Sequence, residues 1–255
     1  MADIMRPVSL TELFTRSFAE YRQKKSIFDI PEEHFYRPSA AHAPTSVAAH
    51  APIFSSSAVN PIGPAAGPHT QLAQNILTSY LTGSRYFELK TVQILDTLEI
   101  EKPCIDIRDE GYNVEWSSEF TLDKAYDEYL KAWFLLHLFD FLLFGNSPDK
   151  PPAFLFNMSV GYDLEGIKSE KMDRFINRLI DSSDDELFAK YAEVIRDLPA
   201  EFFAGTPWIQ NAENIQEIAG IVPVKLCESV TLSTMHGCPP DEIESICRYM
   251  ITEKK

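Results

Sequence analysis

The sequence predicts an α/β fold: a parallel sheet built from successive β/α units, behind an N-terminal helical extension. Three observations predict it. Short apolar segments alternate along the chain with helical stripes, the order expected of parallel strands joined by right-handed crossovers. One segment, Ala153–Val160, is almost uninterrupted in its apolar character after two prolines, as for a strand buried on both faces. Each strand-like segment also ends on small, polar or ionisable residues where a purely structural strand would simply turn.

The elements follow in order. Ser9-Leu10-Thr11-Glu12 forms a capping box, and Leu10, Leu13, Phe14, Phe18 and Tyr21 share one helical face, so an amphipathic helix opens the chain and ends in the basic run Arg22–Lys25. Residues 37–58 turn to Ala, Ser, Pro and His, with Ala-His-Ala-Pro at 41–44 and again at 49–52. Spaced histidines are potential metal ligands, but no carboxylate or thiol accompanies them, and a loop or weak hairpin is the better reading. Residues 1–57 are therefore expected as a lead-in and 58–255 as the domain. Ala58–Ala66 reads as strand and turn, Thr70–Leu81 as a helix stopped by Gly83, and Arg85–Val92 as a strand. The polar stretch Gln93–Trp116 carries Pro103 and Gly111 as breakers.

Leu122, Tyr126, Tyr129, Leu130, Trp133 and Phe134 mark a long helix ending at Gly145-Asn146, its aromatics read as packing. Met172, Phe175, Ile176, Leu179 and Ile180 give a further stripe, and Ser183–Glu186 caps a helix running to Leu198. Residues 199–227 show no clear pattern. Ser229–Met235 is a fourth strand, and Pro240 opens a final helix bearing Ile243, Ile246, Cys247, Met250 and Ile251. Four units in this order match the first half of a (β/α)8 TIM-barrel type fold. The chain ends on Glu253-Lys254-Lys255 where four more would follow, and so reads as a truncated barrel.

At 255 residues with 45% apolar content, the chain can build a sizeable core. A net charge of −15 opposes a nucleic-acid or anionic-membrane surface. The most apolar run, Ala132–Phe144, falls short of the roughly twenty residues of a membrane span, and no export signal precedes the first helix. Cys104, Cys227, Cys238 and Cys247 form no CxxC pair and read as free thiols of a reducing cytoplasm, without an iron–sulfur cluster built in this stretch.

Ligands of such barrels sit at the C-terminal ends of the strands. The positions of interest are Ala65–Gly67, Lys90-Thr91, Asn157–Ser159 and Leu232–Cys238. Small residues let a flat ligand approach the backbone, and a lysine closing a buried strand needs an anionic or electron-rich partner. Glu88 and Glu115 are the protein's own candidates to pair with Lys90.

Asn60–Gly67 followed by Tyr86–Thr91 resembles the first two strands of the flavin-binding barrel shared by dihydroorotate and dihydropyrimidine dehydrogenases. Asn113–Glu119 resembles the dihydropyrimidine dehydrogenase segment with a pyrimidine-contacting asparagine, and Phe156–Asp163 their third strand, with a helical insertion at about 165–227. Closer still, residues 63–75, 88–96 and 233–240 resemble the N-terminal region of the family named "putative selenate reductase subunit", large flavin and iron–sulfur proteins.

The resemblance implies FMN in this region, with FAD and 4Fe-4S centres in segments elsewhere in a larger polypeptide or in redox partner subunits. It sets the backbone of Ala65, Ala66 and Gly67 against the flavin, with Lys90 at its N1–C2 carbonyl edge to stabilise the anionic reduced form. Thr91 adds a hydrogen bond, Asn113 faces flavin or substrate, and Asn157 lies at the third strand. The proton donor departs from the family pattern. An ungapped match aligns Thr231–Thr234 with the donor loop; four inserted residues bring in Cys238, whose thiol suits proton exchange. Ser233 and His236 are the other candidates.

The expected activity is hydride transfer between FMN and an unsaturated, heterocyclic small-molecule substrate, with electrons from NAD(P)H. The FMN phosphate sites of this family follow strands seven and eight, so the 255-residue chain is expected to be inactive alone. The alternatives are a non-redox barrel binding a phosphorylated metabolite and a non-catalytic remnant acting in assembly.

Overall fold

The computed structural model describes residues 6–37, 51–53, 56–58, 62–67, 70–90, 105–106, 112–113, 120–146, 148, 153–232 and 239–254. Helix α1 (Leu10–Lys24) is capped by the Ser9 hydroxyl, which accepts the Glu12 N–H, and ends at Lys25 in the left-handed region. A tight hairpin, β1 (Ser26–Ile27) with β2 (Ile30–Pro31), follows. Strands β3 (Ala51–Ile53) and β4 (Ser56–Ala58) pair as the expected weak hairpin. Helix α2 (Ala73–Leu81) starts three residues later than the sequence predicts, because the Thr70 hydroxyl closes the preceding turn by donating to Gly67 O.

Strand β5 (Tyr86–Lys90) follows, then the short antiparallel pair β6 (Ile105–Asp106) and β7 (Tyr112–Asn113). Helix α3 (Leu122–Phe144) runs from its Thr121 cap to Gly145, whose φ of 70° stops it. Then come β8 (Leu155–Val160) and the helices α4 (Leu164–Lys168), α5 (Glu170–Ile180), α6 (Glu186–Arg196) and α7 (Ala212–Ile218). The unpatterned stretch before α7 holds two 3-10 turns, Ala200–Phe203 and Ile209–Asn211. Strand β9 (Cys227–Leu232) and helix α8 (Pro240–Glu253) complete the order. Among the described residues no helix is long and apolar enough to cross a membrane.

Strands β5, β8 and β9 form a parallel sheet in that order. Strand β9 begins two residues earlier than the periodicity predicts. Phe156 pairs with Cys227 but Asn157 with Ser229, so Glu228 is the extra residue of a bulge, a feature of register that hydrophobic alternation cannot reveal. On the free side of β5, residues 62–64 run alongside: Arg85 N–H donates to Ile62 O at 3.0 Å and Glu88 N–H to Pro64 O at 3.4 Å. A Cβ on Gly63 would lie 1.4 Å from Tyr86 O, so only glycine permits this approach.

One face of the sheet carries Phe87, Leu89, Phe156 and Met158 toward α3, with the Phe156 ring 5.7 Å from Phe87 and 5.1 Å from Trp133. Side chains alternate along a strand, so Glu88, Lys90, Asn157 and Ser159 belong to the other face. Helix α3 is buried nearly all round and carries Glu128, Lys131, His137 and Asp140 inside. Burial drives His137 down to about 3, so it is a neutral core imidazole. Glu128 Oε1 takes the Lys131 ammonium at 2.5 Å and Oε2 the Ala73 N–H at 2.8 Å, while Lys131 also donates to Val8 O at 2.9 Å.

Lys131→Met should therefore strand a buried carboxylate and cost about 3 kcal/mol near neutral pH. Burial already raises the Glu128 pKa. A raised carboxylate penalises the fold above its folded pKa and is relieved as pH falls through it. The difference from the parent in urea unfolding should accordingly shrink from about pH 7 to about pH 5; a pH-independent difference would refute the assignment. Gly63→Ala should cost about 2–3 kcal/mol by overpacking. Gly145→Ala, with open space around its left-handed backbone, should cost about 1 kcal/mol. Equal losses at the two glycines would contradict the close approach at Tyr86.

Candidate functional site

The C-terminal ends of β5, β8 and β9 lie at one edge of the sheet because the strands are parallel. Two polar rows cross them. Glu88, Asn157 and Ser229 share one register level, and Lys90, Ser159 and Thr231 the next. Lys90, Asn157 and Ser159 are buried, at 9%, 1% and 8% exposure. The reading of Ala153–Val160 as a strand buried on both faces holds over Leu155–Val160. Asn157 and Ser159 give one of those buried faces an amide and a hydroxyl. Burying such groups is costly without partners, so this polar face is built for polar contacts rather than for helix packing.

The turn at residues 62–67 reaches the same edge. Ala65 is exposed, Ala66 half-buried and Gly67 buried. Two of their amides are engaged within the chain: Ala66 N–H donates to Glu88 Oε2 at 3.1 Å, and Gly67 N–H to Thr70 Oγ1 at 3.1 Å. The turn therefore offers a ligand its small apolar surface, with those two donors already satisfied.

Lys90 is fixed from below. The Tyr129 hydroxyl donates to Lys90 O at 2.6 Å, and burial raises the phenol pKa, keeping it protonated as a donor. Tyr126 similarly bonds Ser182 at 3.0 Å. Reading every aromatic of 126–144 as packing missed both hydroxyls. The only available sign was a tyrosine where phenylalanine would pack equally well. Glu88 was considered only as a partner for Lys90; its bond to Ala66 joins residues 22 apart and leaves no local trace.

The structure thus brings together Ala65, Ala66, Gly67, Lys90 and Asn157. Asn113 lies on β7, paired with Ile105, in a two-stranded pair separate from the three-stranded sheet. Thr91, Ser233, His236 and Cys238 lie outside the described residues, as do Cys104 and the histidines of the two Ala-His-Ala-Pro repeats. By connectivity residues 233–238 link Leu232, the last residue of β9, to Pro239, which caps α8. Cys227 is buried and Cys247 half-buried, and neither is in a disulfide.

Comparison with known proteins agrees with this architecture. Residues 28–255 match the family described as "Oxidoreductase YgfK, N-terminal TIM-barrel domain". The protein called "Putative oxidoreductase YgfK" from Escherichia coli strain K12 is 53% identical over 256 residues, and the protein of that name from Escherichia coli O157:H7 is equally similar. The alignment covers 100% of this chain and 24% of each relative, so the chain spans about a quarter of their length. No solved structure matches. The match over most of the chain, on a β/α architecture with its polar residues at the strand ends, places the chain in the YgfK oxidoreductase family as its N-terminal TIM-barrel domain.

Proposed function

We propose that this chain is the flavin-barrel portion of a cytoplasmic multi-cofactor oxidoreductase, similar in chemistry to dihydropyrimidine dehydrogenases. The observation that carries the reading is the buried Lys90–Asn157–Ser159 polar face beside the small Ala65–Gly67 turn, in a chain of an oxidoreductase family. These residues fit FMN. Ala65 and Ala66 offer a surface without bulky side chains, and Lys90 brings a cation to the strand ends. FMN, when bound, supplies the hydride donor or acceptor for an unsaturated heterocyclic substrate.

The chain's own residues bind, orient and move a proton. Lys90 holds electron-rich carbonyl oxygen through its ammonium, a charge-assisted contact strengthened by burial. Asn157 and Ser159 offer amide and hydroxyl groups that fix orientation along the polar face. Thr91 and Asn113 extend this set. Cys238, or else Ser233 or His236, exchanges a proton with the substrate carbon from the loop after β9. NAD(P)H, FAD and iron–sulfur centres act in the remainder of the full-length protein, and the 255-residue chain alone is inactive.

The complete protein, purified and acid-treated, should release FMN. Lys90→Ala should lower the flavin midpoint potential, losing about 1–3 kcal/mol of preference for the negatively charged form. An unchanged potential with full flavin content would overturn the role of Lys90. Cys238→Ala should slow substrate turnover by a factor of about 10² while leaving flavin reduction by NAD(P)H intact. A larger effect from Ser233→Ala or His236→Ala would move the donor earlier in the loop.

A further inference from the structure

Glu88 has a role that the flavin reading does not supply. It precedes Lys90 by two residues on the same face of β5 and stands at the register level of Asn157. Its backbone N–H donates to Pro64 O at 3.4 Å, and its carboxylate Oε2 accepts the Ala66 N–H at 3.1 Å. The same residue thus clasps the 64–66 turn twice, once through the ladder and once through a side chain. The other fastenings of this segment lie on either side: Ile62 O at the start, and the Thr70 hydroxyl on Gly67 at the end. Between them, Ala66 is held by Glu88.

We infer that Glu88 is a positioning residue that fixes the Ala65–Gly67 turn against the strand ends, and so sets where a ligand resting on the turn meets Lys90. The inference rests on the flavin reading for the identity of that ligand. A carboxylate accepting a backbone N–H forms a charge-assisted bond, stronger than a neutral one. It is anchored in the middle of a paired strand, so the turn inherits the rigidity of the sheet. Without it, residues 65 and 66 would hang between Pro64 and Gly67 with an unfilled amide.

Two substitutions separate this role from a charge pair with Lys90. Glutamine keeps a carbonyl oxygen able to accept from Ala66 N–H but drops the charge. Leucine keeps the size and removes the acceptor. The test uses the full-length protein, stripped of flavin and titrated with FMN, with hydrogen exchange followed on the peptide spanning residues 62–67. Glu88→Leu should speed exchange at Ala66 at least tenfold and weaken FMN binding at least tenfold, with the visible flavin band shifted. Glu88→Gln should restore both to within about threefold of the parent.

Exchange unchanged in Glu88→Leu would overturn the clasp. A Glu88→Gln protein that behaves like Glu88→Leu would overturn the acceptor role in favour of charge. The two readings also fail separately. A parent protein that takes up no FMN sinks the flavin reading, whereas a parent that binds FMN with Glu88→Leu binding it equally well sinks the role of Glu88 alone.

Discussion

Two adjacent residues of α3 hold both elements that bound the site. Helix α2 begins after Leu72, which has no side chain able to cap it, and Glu128 supplies the missing acceptor for Ala73 N–H from 55 residues away. Tyr129, next along, donates to the carbonyl at the end of β5. Successive helical residues point about 100° apart, so only a helix lying in the angle between α2 and the strand can serve both. The carboxylate that does this is nearly desolvated, which is unfavourable unless it is neutralised. Lys131 provides that charge one turn later, and its ammonium also pairs with Asp127 Oδ2 at 2.9 Å and donates to Val8 O, just ahead of α1. The N-terminal extension is thus tied to the polar core that positions the site.

Aromatic packing completes that attachment. Phe18 lies 6.0 Å from Phe139 of α3, 5.0 Å from Phe203 and 5.7 Å from Trp208, and Tyr21 sits 4.3 Å from Trp208. These contacts bring α1, the end of α3, the first of the two 3-10 turns and Trp208 into one cluster. They also show why residues 199–227 resisted reading. Their conformation follows from rings docking on distant helices, and neither period 3.6 nor period 2 is imposed on the segment that supplies them. Where structure is set locally, the sequence was legible. Ser9 and Asp185 cap the helices they precede, and Gly145 ends α3 because it tolerates a positive φ.

The strand ends show the same division at finer scale. That Lys90 and Asn157 would lie at one edge could be read from strand order alone, since parallel strands end together. That β9 carries a bulge at Glu228 could not, because the shift appears only against the register of β8. The bulge has a consequence for the site. It brings Ser229 level with Asn157 and Thr231 level with Ser159, continuing both polar rows onto the third strand. A regular ladder continued from the Phe156–Cys227 pair would instead put β9 one step out of phase, with apolar Val230 level with Ser159.

The small residues of 63–67 carry a related lesson about cause. Their sequence suggested a surface cleared for a ligand at Ala65–Gly67, on the strength of small side chains. The structure divides the run. Gly63 is small because Tyr86 O occupies the space of its Cβ, and Gly67 is buried and tied to Thr70. Ala65 and Ala66 remain as the part of the turn turned outward. On the proposed reading, a ligand lying there would meet methyl groups and strand-end polar side chains near Lys90, with the Ala66 and Gly67 amides already engaged by Glu88 and Thr70. Recognition by surface and one cation suits a broad, flat, electron-rich molecule better than a compact phosphate, which would require several free N–H donors converging on it. That requirement is why the proposed ligand for this turn is a flavin ring rather than a phosphate group.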